Sequence, residues 1–236
     1  MISLVIPVYN EAKIIKDNIT KIIDFLNKQK YKWEIVIVDD GSIDETIKIV
    51  DKFVNSKVRL VKLVKNSGKG AALRAGVKNS KGEYVVFTDA DLSVPITYLN
   101  PILDNLQMGY PVVIGSRRVE GAIIEKHQPF FRELAGRFHT RLAQVFTGAK
   151  ISDFTCGFKG FEAEAGKKIF SKSLIDRWSY DDEILFLAQK FGFAIKEVPI
   201  NWINRSDSRV TMGSAMITSF LDLFKIRLNY FNGKYN

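Results

Sequence analysis

The sequence predicts an α/β protein with a mostly parallel central sheet. Short apolar, β-branched runs alternate with stretches whose apolar residues recur every three or four positions, the pattern of βαβ units covered on both faces. Two of those runs, "WEIVIVDD" and "VVFTDAD", end in acids, so polar residues gather at the carboxyl rim of the sheet, where such sheets bind ligands. With 236 residues, 46% of them hydrophobic, the chain is long enough to bury one full core.

Residues 2–8 are apolar and β-rich and open the first strand. Asn10 is placed to cap a helix that reaches about Asn27, with Ile14, Ile15, Ile19, Ile22, Ile23 and Leu26 as its apolar stripe. "WEIVIVDD" is the second strand. "SIDETIKIVDKFV" follows as a helix with Ser42 or Asp44 as its cap. "VRLVKLV" is the third strand, "SGKGAALRAGVKNS" a glycine-opened helix, and "EYVVFTDAD" the fourth strand. A helix over 96–107 and a strand over 110–115 come next. The rim then carries Tyr9, Asn10, Glu11, Asp39, Asp40, Asp89 and Asp91.

From about Gly121 the pattern changes. Phe130, Phe131, Leu134, Phe138, Leu142, Val145 and Phe146 fall on one helical stripe, with Arg137, Arg141 and Gln144 on another. "CGFKGF" is strand-like, "SYDDEILFLAQKFG" is a helix opened by acids and closed by Gly192, "AIKEVPINW" is strand-like, and "INRSDSRVTMG" is a basic loop. The tail, "SAMITSFLDLFKIRLNYF", is a helix with one narrow polar line: Thr218, Asp222, Lys225 and Asn229. So wide an apolar arc fits a membrane interface, a second copy, or docking on the body of the chain.

Composition removes several classes. A single cysteine, Cys156, excludes an internal disulfide, and with two histidines a His/Cys zinc site is not expected. Any metal would need oxygen ligands. The net charge of +9 suits an anionic partner: nucleic acid, anionic lipid or a phosphorylated substrate. Nucleic acid is disfavoured, because no aromatic-and-basic recognition motif is present and a rim of acids would repel phosphate. No G-x-G-x-x-G follows the first strand, which disfavours a dinucleotide module. The chain opens directly on a strand pattern, so no signal peptide is expected there, and no apolar run is long enough to span a membrane.

Asp89 and Asp91 stand one residue apart at the exit of a strand. Two such carboxylates repel, and burying either alone costs several kcal/mol. Oxygen-only ligands on a tight loop suit Mg²⁺ or Mn²⁺, which pairs one or two carboxylates with substrate phosphates.

At this point the chain resembles a known family. "IPVYNE" (6–11), "VDDGSIDET" (38–46), "NSGKGAALRAG" (66–76) and "DADLSVP" (89–95) match, in order and spacing, family 2 glycosyltransferases of the GT-A fold, a Rossmann-like nucleotide-diphospho-sugar transferase fold. "GSRR" (115–118), "DFTCGFKGF" (153–161), "SYDDEIL" (179–185) and "EVPINW" (197–202) resemble its polyprenyl-phosphate branch: dolichyl-phosphate β-glucosyltransferases first, dolichyl-phosphate mannosyltransferases second. The resemblance and the apolar patterns together give a catalytic domain over 1–210, with an amphipathic interface segment at about 121–148, and an amphipathic C-terminal helix over 211–236.

It also implies roles. Pro7, Tyr9 and Glu11 would line the nucleotide pocket, with Asp39 accepting from the base, Asp40 beside the ribose and Lys69 near the nucleotide. Asp89 would face the ribose or sugar and share the metal with Asp91. Ser93 replaces a glutamine that some relatives have. Arg117 would face the phosphates, Arg132 and Arg137 the lipid phosphate, and Arg205 and Arg209 would close over the diphosphate. Asp153 is the matched residue for a base or positioning role, with Asp181, Asp182 and Glu183 as a second acidic cluster. The expected reaction is inverting, metal-dependent transfer of a hexose from a nucleotide sugar, UDP-glucose foremost, to dolichyl or polyprenyl phosphate. GDP-mannose and UDP-N-acetylglucosamine stay open as donors. The expected location is cytoplasmic, peripheral on the cytoplasmic face of a membrane, with a homo-oligomer through the tail also open.

Overall fold

The computed structural model describes residues 1–126, 130–203 and 212–236. Strands β1 (Ile2–Val8), β2 (Trp33–Asp39), β3 (Val58–Lys62) and β4 (Tyr84–Phe87) form where the apolar runs lie. With β5 (Val112–Ser116), β7 (Lys159–Glu162) and β8 (Ile195–Pro199) they make a seven-stranded sheet of order β3-β2-β1-β4-β7-β5-β8. β7 is antiparallel to both of its neighbours, and every other pairing is parallel. β6 (Ile123–Lys126) and β9 (Asn201–Ile203) form a separate two-stranded parallel ribbon.

Alternation along the strands explains the unbroken apolar runs. Ile2, Leu4 and Ile6 point into one layer, under α1 (Ile15–Asn27) and α4 (Leu99–Gln107). Val5, Val36, Val38, Val85 and Phe87 point into the other, against α3 (Lys69–Asn79), α6 (Ala163–Lys172) and α7 (Tyr180–Lys190). Both faces are buried, so both sets of positions must be apolar.

Several expectations change. Asn10 does not cap α1: it sits at φ +54° and its side chain accepts from the Ile43 amide at 2.8 Å, so the helix begins only at Ile15. The helix expected over 42–54 is short, α2 (Thr46–Asp51), with Asp44 accepting from the Thr46 amide at 3.0 Å. The 96–107 helix opens as a 3₁₀ turn over Ile96–Tyr98 before α4. Residues 123–126 are strand, so the amphipathic helix of this region is α5 (Phe130–Thr147). α6 is not predicted from the sequence; its buried face is Ala165, Gly166, Ile169 and Phe170.

α5 and the tail helix α8 (Met212–Phe231) place their apolar faces outward. On α5, Thr140, Ala143 and Thr147 are buried, while Phe131 is 75% and Phe138 58% exposed, and Leu134 and Val145 are exposed beside them. On α8, Leu223, Ile226 and Asn229 face the body, Asp222 hydrogen-bonds Ser179, and Leu221, Phe224, Leu228 and Phe231 face out. Part of the tail's polar line therefore points inward. Phe146 joins the two helices, 4.6 Å between ring centroids from Phe224.

Candidate active site at the carboxyl rim

Parallel pairing of β2, β1 and β4 brings their exits together. Val8 pairs with Asp39, and the Thr88 amide donates to the Val5 carbonyl at 3.2 Å, so Tyr9, Asp39 and Asp89 leave the sheet along one edge. Pro7 stands in β1 opposite Val38, and the Glu11 amide donates to Thr46 Oγ1 at 2.7 Å.

Asp39 is buried. Its Oδ2 accepts from the Gly41 and Ser42 amides at 3.1 and 3.0 Å, whereas its Oδ1 has no donor among the described residues. Asp40 is used differently. Oδ1 accepts from the Ser67 amide at 2.7 Å, and Oδ2 from the Gly68 amide at 2.9 Å and Asn66 Nδ2 at 3.1 Å. Asp40, expected beside a ribose, also has a structural role here. Its oxygens are taken by the 66–68 turn, which starts α3 and presents Lys69. Gly68, at φ +110°, lies so close to Asp176 that a Cβ would meet that carbonyl at 2.4 Å, which is why the turn needs glycine.

The cation beside Asp89 in this structure is Lys69, whose ammonium pairs with Oδ1 and lies 5.6 Å from the Tyr180 ring. Burial disfavours the Lys69 charge, but Asp89, Asp181 and Asp91 outweigh it and raise its pKa. Asp91 is held by Ser93, whose amide and hydroxyl both donate to it at 2.8 Å. Leu92, at φ +52°, makes the turn tight, and Asn18 of α1 fixes it by donating to the Ala90 carbonyl at 2.8 Å. Gly157 backs the Asp89 carboxylate so closely that a Cβ there would meet Oδ2 at 2.0 Å.

On the other side of β4, antiparallel β7 sets Lys159 opposite Phe87. Lys159 is wholly buried, pairs with Asp181 and donates to the Cys156 carbonyl at 2.6 Å. Burial, against the pull of Lys159 and Lys69, raises the Asp181 pKa. Reading the sequence did not single out Lys159. The available signal was one lysine inside the strand-like "CGFKGF", a position that needs a buried acid as partner.

Arg117 leaves β5 and clamps Asp153: Nε to Oδ2 at 2.6 Å, Nη2 to Oδ1 at 2.7 Å, and the Arg117 amide to Oδ2 at 3.0 Å. Burial alone would raise the Asp153 pKa, yet Arg117 carries it well below the usual carboxylate range, and Arg117 is held above its own. The Asp153 carboxylate is wholly buried, and both of its oxygens are engaged by Arg117. Arg137 is exposed on α5. Arg205, Arg209 and the Arg132 side chain lie outside the described residues.

Known proteins agree with this architecture. Glucosyl-3-phosphoglycerate synthase from Mycobacterium tuberculosis, solved in complex with uridine-diphosphate, superposes with a TM-score of 0.68 at 22% identity, over 96% of this chain and 80% of that one. Dolichyl-phosphate beta-glucosyltransferase from Dictyostelium discoideum is 34% identical over 98% of this chain and 75% of its own length. The Homo sapiens protein of that name is 34% identical over 98% and 76%, and the Saccharomyces cerevisiae one 36% over 99% and 76%. The profile described as "Glycosyl transferase family 2" matches residues 3–170. With a GT-A fold, that profile and relatives matched along nearly its whole length, the chain belongs to glycosyltransferase family 2 and is a glycosyltransferase.

Proposed function

We propose that this enzyme transfers glucose from UDP-glucose to dolichyl or polyprenyl phosphate at a membrane surface, inverting the anomeric centre. The observation that carries the reading is the near full-length likeness to relatives named dolichyl-phosphate beta-glucosyltransferase. Structural neighbours crystallised with UDP-glucose and Mn²⁺, or with UDP and Mg²⁺, support the donor and a divalent metal.

The residues fit such a metal. Asp89 and Asp91 offer only hard oxygen donors, and among the described residues no cluster of three His, Cys, Asp or Glu forms an all-protein cage. That suits Mg²⁺ or Mn²⁺ completed by diphosphate and water. The bound ion would offset the negative charge developing on the departing nucleotide.

The chain's own groups do the rest. The unpartnered Oδ1 of Asp39 is an acceptor suited to a base N–H, with Pro7, Tyr9 and Glu11 around the nucleotide. Lys69, now on Asp89, supplies a cation to the phosphates. Asp153 aims Arg117, while Arg132 and Arg137 on α5 hold the acceptor phosphate and Arg205 and Arg209 close over the diphosphate. A phosphate monoester has a second pKa of about 6, so the acceptor arrives ionised and needs little help from a base.

The outward apolar faces of α5 and α8 support a peripheral seat on the membrane, with the +9 charge drawing it to anionic lipid. No described helix is long and apolar enough to cross a membrane. The test is incubation of the enzyme with dolichyl phosphate and, separately, radiolabelled UDP-glucose, GDP-mannose and UDP-N-acetylglucosamine in Mn²⁺, followed by lipid extraction. Label in the lipid phase from UDP-glucose is expected. Label from another donor, or none, would overturn the assignment.

A further inference from the structure

His139 has no part in the chemistry above, yet it stands at the junction of the two halves of the site. It lies on α5 between outward Phe138 and inward Thr140, and its Nε2 is 3.2 Å from Asp182 Oδ2 in the first turn of α7. Asp182 is 1% exposed, and its other oxygen has no hydrogen-bond partner among the described residues. Its neighbour Asp181 is served by Lys159; the imidazole is the charge-bearing donor that Asp182 has. A buried carboxylate left this bare is costly unless a cation faces it.

We propose that protonated His139 is a positioning residue that, through Asp182, holds α5 on the acidic turn of α7 and so fixes where the acceptor phosphate meets the donor sugar. The inference rests on the proposed function in taking α5 as the acceptor side. Among the described hydrogen bonds two other side chains tie this half of α5 down: Arg118, bonding Thr140 Oγ1 and, at 3.3 Å, the Ser152 carbonyl, and Gln144, donating to the Ile151 carbonyl at 2.9 Å. From Asp182 the link continues inward, since Asp181 acts electrostatically on Lys69, which pairs with Asp89.

The surroundings favour the charged form. Burial opposes it, but Asp182 and then Asp181 outweigh burial and the repulsion of Arg118, so the His139 pKa is raised. Asp222 of α8, beside Lys225, also lies within electrostatic reach of Asp182, and α5 itself carries Glu133, Arg137 and Arg141. Because the folded pKa is raised, the tie is at full strength below the free imidazole value of about 6.5 and is lost as pH rises through the folded value.

The test compares wild type with His139→Gln, which keeps a donor and removes the charge. Expected is a rise of about tenfold in the KM for dolichyl phosphate, with little change for UDP-glucose, as befits a lost charge-assisted bond. The wild-type fall in acceptor kcat/KM on the alkaline side should vanish in the variant, while the acid-side rise from ionisation of the acceptor phosphate should remain. An unchanged acceptor KM and pH profile would overturn the proposal and leave the transfer reaction standing. If wild type transfers nothing to the lipid, the proposed function fails, and the tie is read by NMR instead. The chain has two histidines, so comparison with His139→Gln assigns the His139 resonance. Its pKa should lie above 6.5 and drop in Asp182→Asn. A pKa that ignores Asp182 would sink the idea.

Discussion

The proposed donor side of the rim and the proposed acceptor side solve the same electrostatic problem by different means. Around β1, β2 and β4, three carboxylates are held by backbone amides, Asp39 by 41 and 42, Asp40 by 67 and 68 and Asp91 by 93, and only Asp89 pairs with a cation, Lys69. Around β5, β7 and α7 the charges are buried deeper and paired over long sequence separations: Asp153 with Arg117, Asp181 with Lys159, Asp182 with His139. Among the amide-held carboxylates, Asp39 keeps one oxygen without a partner among the described residues and so has room for a ligand. Paired ones give up that freedom to fix an angle. On the proposed assignment, the donor side is thus built to receive charge, and the acceptor side to hold a shape.

If this division is right, the largest stability effect belongs to the acceptor side. Asp153→Ala should cost about 3–5 kcal/mol in urea unfolding, because it leaves the part-buried Arg117 charge without its wholly buried partner. The pH arm has a definite sign. The folded pKa of Asp153 is depressed, so its contribution is present above the unfolded carboxylate value of about 3.9 and is lost as pH falls toward the folded one. Asp153→Asn should flatten that acid limb. A loss below 1 kcal/mol would erase the distinction between the two sides. Asp91→Ala is the donor-side counterpart: transfer should fall by about 10²–10³, roughly 3–4 kcal/mol of transition-state stabilisation, with the unfolding midpoint nearly unmoved. Retained turnover would remove Asp91 from the reaction.

The same division explains what could be read in advance. Strands β1 to β4, the glycine turn before Lys69 and the acids at the rim are local patterns, and they appeared where the sequence put them. Asp40 was legible as a rim acid but not as the anchor of the 66–68 turn, since that depends on a loop 26 residues away. Lys159 became meaningful only when β7 inserted antiparallel between β4 and β5, a pairing no local run specifies. Asp153 matched a motif, but its lock on Arg117 spans 36 residues. The apolar stripe of α5 was visible; which side of it meets the protein was not, because Thr140, Ala143 and Thr147 pack inward by size rather than by hydrophobicity.

A sharper probe of the donor side is Gly157→Ala. The added Cβ would land 2.0 Å from Asp89 Oδ2, and since the neighbour is the end of a side chain, the carboxylate can swing away rather than break the fold. Expected is a stability loss of about 1–3 kcal/mol together with a 10- to 100-fold loss of transfer, the scale of a misplacement of about 1 Å. Loss of stability with full turnover would mean that the position of Asp89 is not critical.

The smallest effect is expected where the acceptor side meets solvent. Phe138 and Leu221 are 58% and 61% exposed, so replacing each with serine should leave folding stability within about 0.5 kcal/mol. Sedimentation with vesicles of phosphatidylcholine and phosphatidylserine should nevertheless weaken by severalfold to about tenfold per substitution, as each loses part of the 1.5–3 kcal/mol of a buried apolar side chain. High salt should weaken wild type and variants alike by screening the net positive charge, whereas the apolar loss should persist. If vesicle binding stays constant while a dimer seen by sedimentation of the free protein dissociates, the outward faces of α5 and α8 meet a second copy rather than lipid. A face this apolar needs one cover or the other.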